Sequence, residues 1–149
     1  MSTATYPDIG LAVSSLLRSK TAITDLVGSR IYNGHVPQSA QQDGIVWWIV
    51  TEVPWMHLGG AMGIDQARIQ FDAFSMTQAL SNQIAWTIWT ELDGFQGVSA
   101  SVHIKGLTRA SGVGYRTRRV QSGTDQYRFV SSQDLTFTYC SKELIENEL

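Results

Sequence analysis

Cysteine is nearly absent from this chain of 149 residues: Cys140 stands alone. That excludes an internal disulfide and any zinc site built from several cysteines. Charge is also sparse, at 16% of residues, and almost balanced: 11 Lys and Arg against 13 Asp and Glu leave a net of −2. Such a balance exerts no global pull on nucleic acid or anionic lipid. No run of 18 apolar residues occurs, so no segment reads as bilayer-spanning and no membrane partner is expected. The opening MSTATYPDIG lacks the basic and apolar parts of a secretion signal. These absences predict a soluble protein made in a reducing compartment.

What is present is a core. Hydrophobic residues make up 43%, including five tryptophans. A chain of this length buries roughly 68–70% of its unfolded surface, enough for one self-supporting domain. The domain is expected over residues 1–140, with residues 141–149 a short acidic tail. Charge is uneven along it. Residues 103–128 hold six cations and one anion, whereas residues 134–149 hold four anions and one cation. Two solvated surfaces of opposite sign would explain this, and so would faces that meet other copies or partners.

Periodicity gives the elements. Ile9, Ala12, Val13, Leu16 and Leu17 form one stripe of a helix over residues 8–19, capped by Asp8. A short helical turn follows over residues 22–27, with Thr21 as its cap and Gly28 as its stop. Residues 30–32 suit a brief edge strand. Residues 45–53, IVWWIVTEV, are nearly all β-branched or aromatic and read as a strand. Alternation puts Ile45, Trp47, Ile49 and Val53 on one face and Val46, Trp48 and Val50 on the other, both expected to be covered. In residues 66–74, Ala67, Ile69, Phe71 and Ala73 alternate with Gln66, Arg68, Gln70 and Asp72. Between these strands, residues 54–65 read as a long glycine-containing loop. It carries Trp55, Met56, Leu58 and Met62, an apolar load that solvent alone does not explain.

Ser75 to Gln78 matches the S-x-x-Q capping box of a helix ending near Asp93-Gly94. Leu80, Ile84, Ala85, Ile88 and Leu92 form its stripe; Trp86 falls nearly opposite and Trp89 on the flank. Residues 98–104 alternate as a half-buried strand. A basic hairpin follows over residues 115–130, then a last strand with Leu135, Phe137 and Tyr139 on one face. The fold class expected is α+β: a single domain, an antiparallel sheet, and two main helices packed on one face.

No catalytic set emerges. There is no G-x-S-x-G, no P-loop and no dinucleotide motif. His35, His57 and His103 are isolated and read as ordinary exposed histidines, and Cys140 as structural. Asp72 and Asp134 sit on polar strand faces and would act as an acid–base pair only if the fold made them converge in a pocket, with His103. No catalytic residue, cofactor or metal site is therefore expected. Arg116 and Arg118 share one strand face and Arg119 the other, which splits the basic cluster and argues against direct nucleic-acid binding.

Association remains. Trp86 on the far side of its helix, Trp55 in a loop and the doubly apolar strand exceed what one small core readily hides. Aromatics in such positions serve as interface anchors. Subunit-interface candidates are Trp48, Trp86, Arg116, Arg118, Arg119, Glu143 and Glu146. Docking candidates are Trp55, Met56, Leu58 and Met62.

LLRSKTAITDLVGSRIY (residues 16–32), VPQ (residues 36–38) and the apolar strand at Ile45 resemble the tail completion proteins of long, non-contractile-tailed phages, also called tail terminators or tail-to-head joining proteins. RIQFDAFSMT (residues 68–77) is similar to that family's strand-to-helix step. Tyr127-Arg128-Phe129 and Leu135-Thr136-Phe137 fit its closing strands. The resemblance covers roughly residues 9–139, and its most specific block is VGSRIY.

The resemblance implies a ring-forming virion structural protein, usually hexameric, at the tail–neck junction. It would cap the tail tube protein, end tube polymerisation and meet the head connector or stopper protein. DNA would pass through the lumen without specific binding, and assembly would take place in the host cytoplasm. The alternatives are a neck or head-closure stopper protein one ring nearer the head, and a small regulatory binding domain.

Overall fold

The computed structural model describes residues 7–36, 43–109, 116–121 and 127–141. Among the described residues, three helices and seven strands form one α+β domain: α1 (Ile9–Ser19), α2 (Thr21–Val27), β1 (Ile31–Asn33), β2 (Gly44–His57), β3 (Gly60–Ser75), α3 (Gln78–Leu92), β4 (Gly97–Ser99), β5 (Val102–Arg109), β6 (Arg116–Gln121) and β7 (Tyr127–Cys140). The sheet order is β1-β2-β3-β7-β5-β4, and β6 also pairs with β7. Pairing is antiparallel except for β1, which runs parallel to β2. The sheet is therefore mixed rather than wholly antiparallel, and α2 adds a third helix to the two main ones.

The helices form where the apolar stripes predict. In α1, Ile9, Ala12, Val13, Leu16 and Leu17 are all buried, and Asp8 accepts a hydrogen bond from the Leu11 amide at 3.1 Å. This satisfies a first-turn N–H that the helix itself cannot pair. Helix α2 begins at Thr21 with Lys20 as its N-cap and no side-chain cap, so Thr21 lies inside the helix rather than before it. In α3 the cap is Thr77, whose hydroxyl accepts from the Leu80 amide; Ser75 instead accepts from the Thr77 amide. The expected capping box is thus not formed: the N-cap lies two residues later, because β3 runs on through Ser75, and the third helical residue is then Leu80.

The core lies between the helices and one face of the sheet. Ile45 and Trp47 of β2, Ala67, Ile69, Phe71 and Ala73 of β3, and Leu135, Phe137 and Tyr139 of β7 meet Ile84, Ala85, Ile88 and Leu92 of α3 there. Polar groups fix the position of α3 on this surface. Ser131 Oγ donates to Asn82 Oδ1 at 2.7 Å, and Gln133 Nε2 donates to the Ala85 carbonyl. Gln133 is fully buried, and among the described residues its Oε1 has no hydrogen-bond partner.

Three strand expectations need correction. Residues 98–104 are not one strand but a hairpin. Ala100 and Ser101 take φ of 47° and 66°, and Ser99 pairs with Val102. Two consecutive left-handed residues make the tight turn whose twist matches a hairpin, and alternation alone does not reveal it. Residues 127–140 form one 14-residue strand rather than two. The basic hairpin itself is present as β6 paired with β7; its tip, residues 122–126, lies outside the described residues.

The third correction concerns residues 54–65, which are not a loop. β2 and β3 stay paired through Pro54↔Asp65, Met56↔Ala61 and His57↔Gly60, so the connection is the two-residue turn Leu58-Gly59. Gly60 has φ +122° and Gly63 +79°, values other residues rarely adopt, which lets the ribbon turn and bend despite its bulky load. At the opposite end of β2, Gly44 is required for a different reason. A Cβ there would fall 2.7 Å from Phe74 and 2.8 Å from the Arg30 carbonyl, which accepts from the Ile45 amide.

Candidate assembly surfaces

The pairing of β3 defines a projecting arm. β7 covers β3 from Ser75 down to Ile64, opposite Cys140, and a last hydrogen bond joins the Ser141 amide to the Gly63 carbonyl. Beyond that, over residues 55–62, the strands β2 and β3 pair with each other and, among the described residues, with nothing else. An isolated two-stranded ribbon is marginal in water. This one is also apolar: Val53, Trp55, Met56, Leu58 and Met62 are all exposed, and so are Ile49 and Val50 at its root. The expectation that both faces of residues 45–53 are covered therefore holds only near Trp47 and fails from Ile49 onward.

Two irregularities shape the arm. Ile49 pairs with Ile69 and Thr51 with Arg68, so Val50 is an extra residue in β2. The bulge reverses the alternation. Val53 pairs with Gln66, on the helix-free face, and does not share the face of Ile45, Trp47 and Ile49. A second register shift lies between Pro54 and Met56. Bulges and proline are the devices that stop an edge strand from recruiting another strand. The arm is thus built to make contact through side chains rather than by extending the sheet.

The outer face of α3 is a second uncharged surface, with Trp86 among the exposed Gln78, Gln83 and Thr90. Trp86 is 53% exposed, whereas Ile84, Ala85 and Ile88 are buried. Met76, just before the helix, is also exposed. Trp89 lies on the flank as expected, and the Arg109 guanidinium stacks 3.6 Å above its ring. No Lys, Arg, Asp or Glu occurs in residues 73–90, nor in residues 53–64. Exposed helix faces ordinarily carry charge. An aromatic-centred face without it has the composition of an interface core.

Along residues 66–72 of β3 and 132–138 of β7 the helix-free face of the sheet is polar. Arg68 binds Asp134, with Nε and Nη2 at 2.7 and 2.6 Å from the same carboxylate oxygen, while Oδ1 has no hydrogen-bond partner among the described residues. Gln70 Nε2 donates to Asp72 Oδ1 at 3.0 Å. Both aspartates lie on the polar face, as alternation assigns them, and both are buried there. They lie diagonally on neighbouring strands, since Asp72 faces Ser132 and Asp134 faces Gln70. His103 does not join them. It is exposed on β5 opposite Val98, near the far end of the sheet. The convergence that an acid–base reading requires is not formed by these three residues.

The other expected site residues are placed as follows. Trp48 is half-buried on the helix-free face opposite Gln70. Arg116, Arg118 and Arg119 lie on β6 opposite Ser132, Val130 and Phe129, and their side chains are outside the described residues. Glu143 and Glu146 are outside them altogether, as is all of the acidic tail after Ser141. His35 and His57 are exposed and Cys140 is buried. Among the described residues no group of three or more His, Cys, Asp or Glu could hold a metal ion. No described helix is long and apolar enough to cross a membrane. Sequence reasoning missed the exposed Ile49, Val50 and Val53 and the uncharged character of both surfaces. The second was legible, as two gaps in the charge pattern.

No protein-family model matches the chain, and no curated protein matches it. The fold does match. A chain of the solved virion of a native gene transfer agent particle superposes with a TM-score of 0.62 at 16% sequence identity, over 91% of this chain and 99% of that one. What the comparison establishes for this chain is the fold: the whole domain, sheet and helices together, is of a kind found in a virion component.

Proposed function

We propose that the chain is a virion structural protein that works by self-association: a tail-completion subunit whose ring, a homo-hexamer, ends the tail tube and prepares its joining to the head. The observation that carries this reading is the arm. A domain whose core is already closed by three helices still extends a ribbon of Trp, Met and Leu side chains into solvent. At about 25 cal/mol per Å² of apolar surface, such a feature is a liability unless a neighbour covers it. The fold shared with a gene transfer agent virion chain and the resemblance of residues 16–32 to tail completion proteins support the same reading.

In this scheme one ring face repeats the contacts that tube subunits make with one another and the other face does not, so growth stops. A head-to-tail contact closes into a ring only when its rotation divides a full turn. The helix-free face is the candidate lining of the bore. On β3 and β7 the cation Arg68 is held by Asp134, and the neighbouring Gln66, Gln70, Thr136 and Thr138 carry no charge. Phosphate thus finds little grip there, as passage of DNA requires. The partners of the ring are then the tube protein on one side and the connector or stopper protein on the other.

The deciding experiment is deletion of the gene from a particle-producing strain, followed by electron microscopy of the lysate. Tails of irregular length that fail to join filled heads are expected. Tails of normal length beside leaking heads would move the protein to the head-closure ring, and normal particles would overturn the assignment.

A further inference from the structure

We propose that residues 142–145 of the same chain carry β7 onward along the free edge of β3 and make the arm a three-stranded ribbon. The ladder between β7 and β3 is intact at its lower end. Cys140 pairs with Ile64, and the Ser141 amide donates to the Gly63 carbonyl at 2.8 Å, so the pairing has already passed the bend at Gly63. β3 continues beyond it from Met62 to Gly60, and there its outer edge meets no strand among the described residues. The chain that leaves Ser141 is thus anchored at the root of an open edge, with residues 142–149 still to follow.

Counting on one for one from Ser141 and Gly63, Lys142 stands opposite Met62, Glu143 opposite Ala61 and Leu144 opposite Gly60, and Ile145 comes level with Gly59 in the turn. Leu144 and Ile145 are the only apolar residues of the stretch 141–148. This register sets them beside the two glycines, next to the exposed Met56 and Leu58. Glycine in a strand leaves backbone bare, and a bulky neighbour covers it. The hydrogen-bonding polarity agrees. His57 and Gly60 close the turn and Gly63 bonds Ser141, so by alternation the Ala61 N–H and C=O point to the open edge. A third strand would pair both, and a two-stranded ribbon gains most from one. The Val50 bulge and Pro54, which discourage pairing, stand on β2, at the other edge. Attachment at Ser141 favours the chain's own segment over that of a second copy, because it starts in register at the edge it is to cover. The inference does not rest on the self-association reading: a strand added at the edge leaves the faces of the arm, with Trp55 and Met56, open to a neighbour.

Hydrogen exchange of the Ala61 amide, followed by NMR over a range of protein concentrations, tests the proposal. In the 149-residue chain it should exchange about tenfold or more slowly than in a chain shortened to end at Ser141. The Phe71 and Phe137 amides should be unchanged, which shows that the shortened chain still folds. Glu143→Pro should bring Ala61 to the rate of the shortened chain, because it removes the N–H that bonds the Ala61 carbonyl. Glu146→Pro, past the tip, should leave the rate as it is. Equal rates in the two chains would overturn the proposal. So would protection that arises only as concentration is raised, which assigns the third strand to a second copy, and so would protection that survives Glu143→Pro, which assigns the cover to something other than this segment. None of these results touches the virion role, which the gene deletion decides.

Discussion

The strand β3 contains two regions that behave in opposite ways. Over residues 67–73 its apolar side chains are sealed by β2, β7 and the helices, and Ala67, Ile69, Phe71 and Ala73 have no exposed surface. Over residues 60–64 the same strand, equally apolar, leaves Met62 in solvent with β2 as its companion. Hydrophobicity alone does not tell the two apart. The difference is whether β7 and a helix lie alongside, and β7 reaches only as far as Ile64. A buried stretch stabilises the fold, whereas an uncovered one stabilises whatever forms on it.

That contrast can be broken by measurement. Phe137→Ala, in the sealed region, should lower the unfolding free energy by about 3–5 kcal/mol through lost burial and a cavity, read from urea denaturation. Thr77→Ala removes the cap of α3 and should cost about 1 kcal/mol in the same assay. Met56→Ser combined with Leu58→Ser should change stability by no more than about 0.5 kcal/mol while abolishing head joining in particles. If the arm changes cost as much as Phe137→Ala, the arm belongs to the core and the contrast fails. Hydrogen exchange sharpens it further: the Trp55 and Met56 amides should exchange well before those of Phe71 and Phe137.

The smallest expected effect concerns the basic strand β6. Arg116→Glu with Arg119→Glu should weaken assembly modestly and chiefly at low salt, because exposed charges are screened within about 10 Å at 0.1 M. An unchanged elution profile in size exclusion at low salt would remove that strand from the subunit contact.

Much of the sealed region was legible in the sequence, because its signals are local. The α1 stripe, the Asp8 cap, the alternation of residues 66–74 and the burial of Leu135 and Phe137 each follow from period and propensity. What was not legible depended on partners distant along the chain. The bulge at Val50, which moves Val53 to the other face, exists only as a mismatch between β2 and β3. The Ala100-Ser101 turn uses two residues with no special preference for positive φ. Trp55 and its neighbours were recognised as an anomalous apolar load, and Trp86 as facing away from the core. That the load rides on a paired ribbon rather than a loop is seen from the pairing of Met56 with Ala61. Asp72 and Asp134 lie on the polar face that alternation assigns, but their burial depends on neighbours from other strands and is not written in their own segments.

The lack of charge in the apolar arm, residues 53–64, has a thermal consequence. Contacts made by such a surface draw on the release of ordered water, a driving force that fades on cooling. A joint made from it would slacken in the cold and firm up as the sample is warmed to room temperature, a response opposite in sign to that of a joint held by hydrogen bonds.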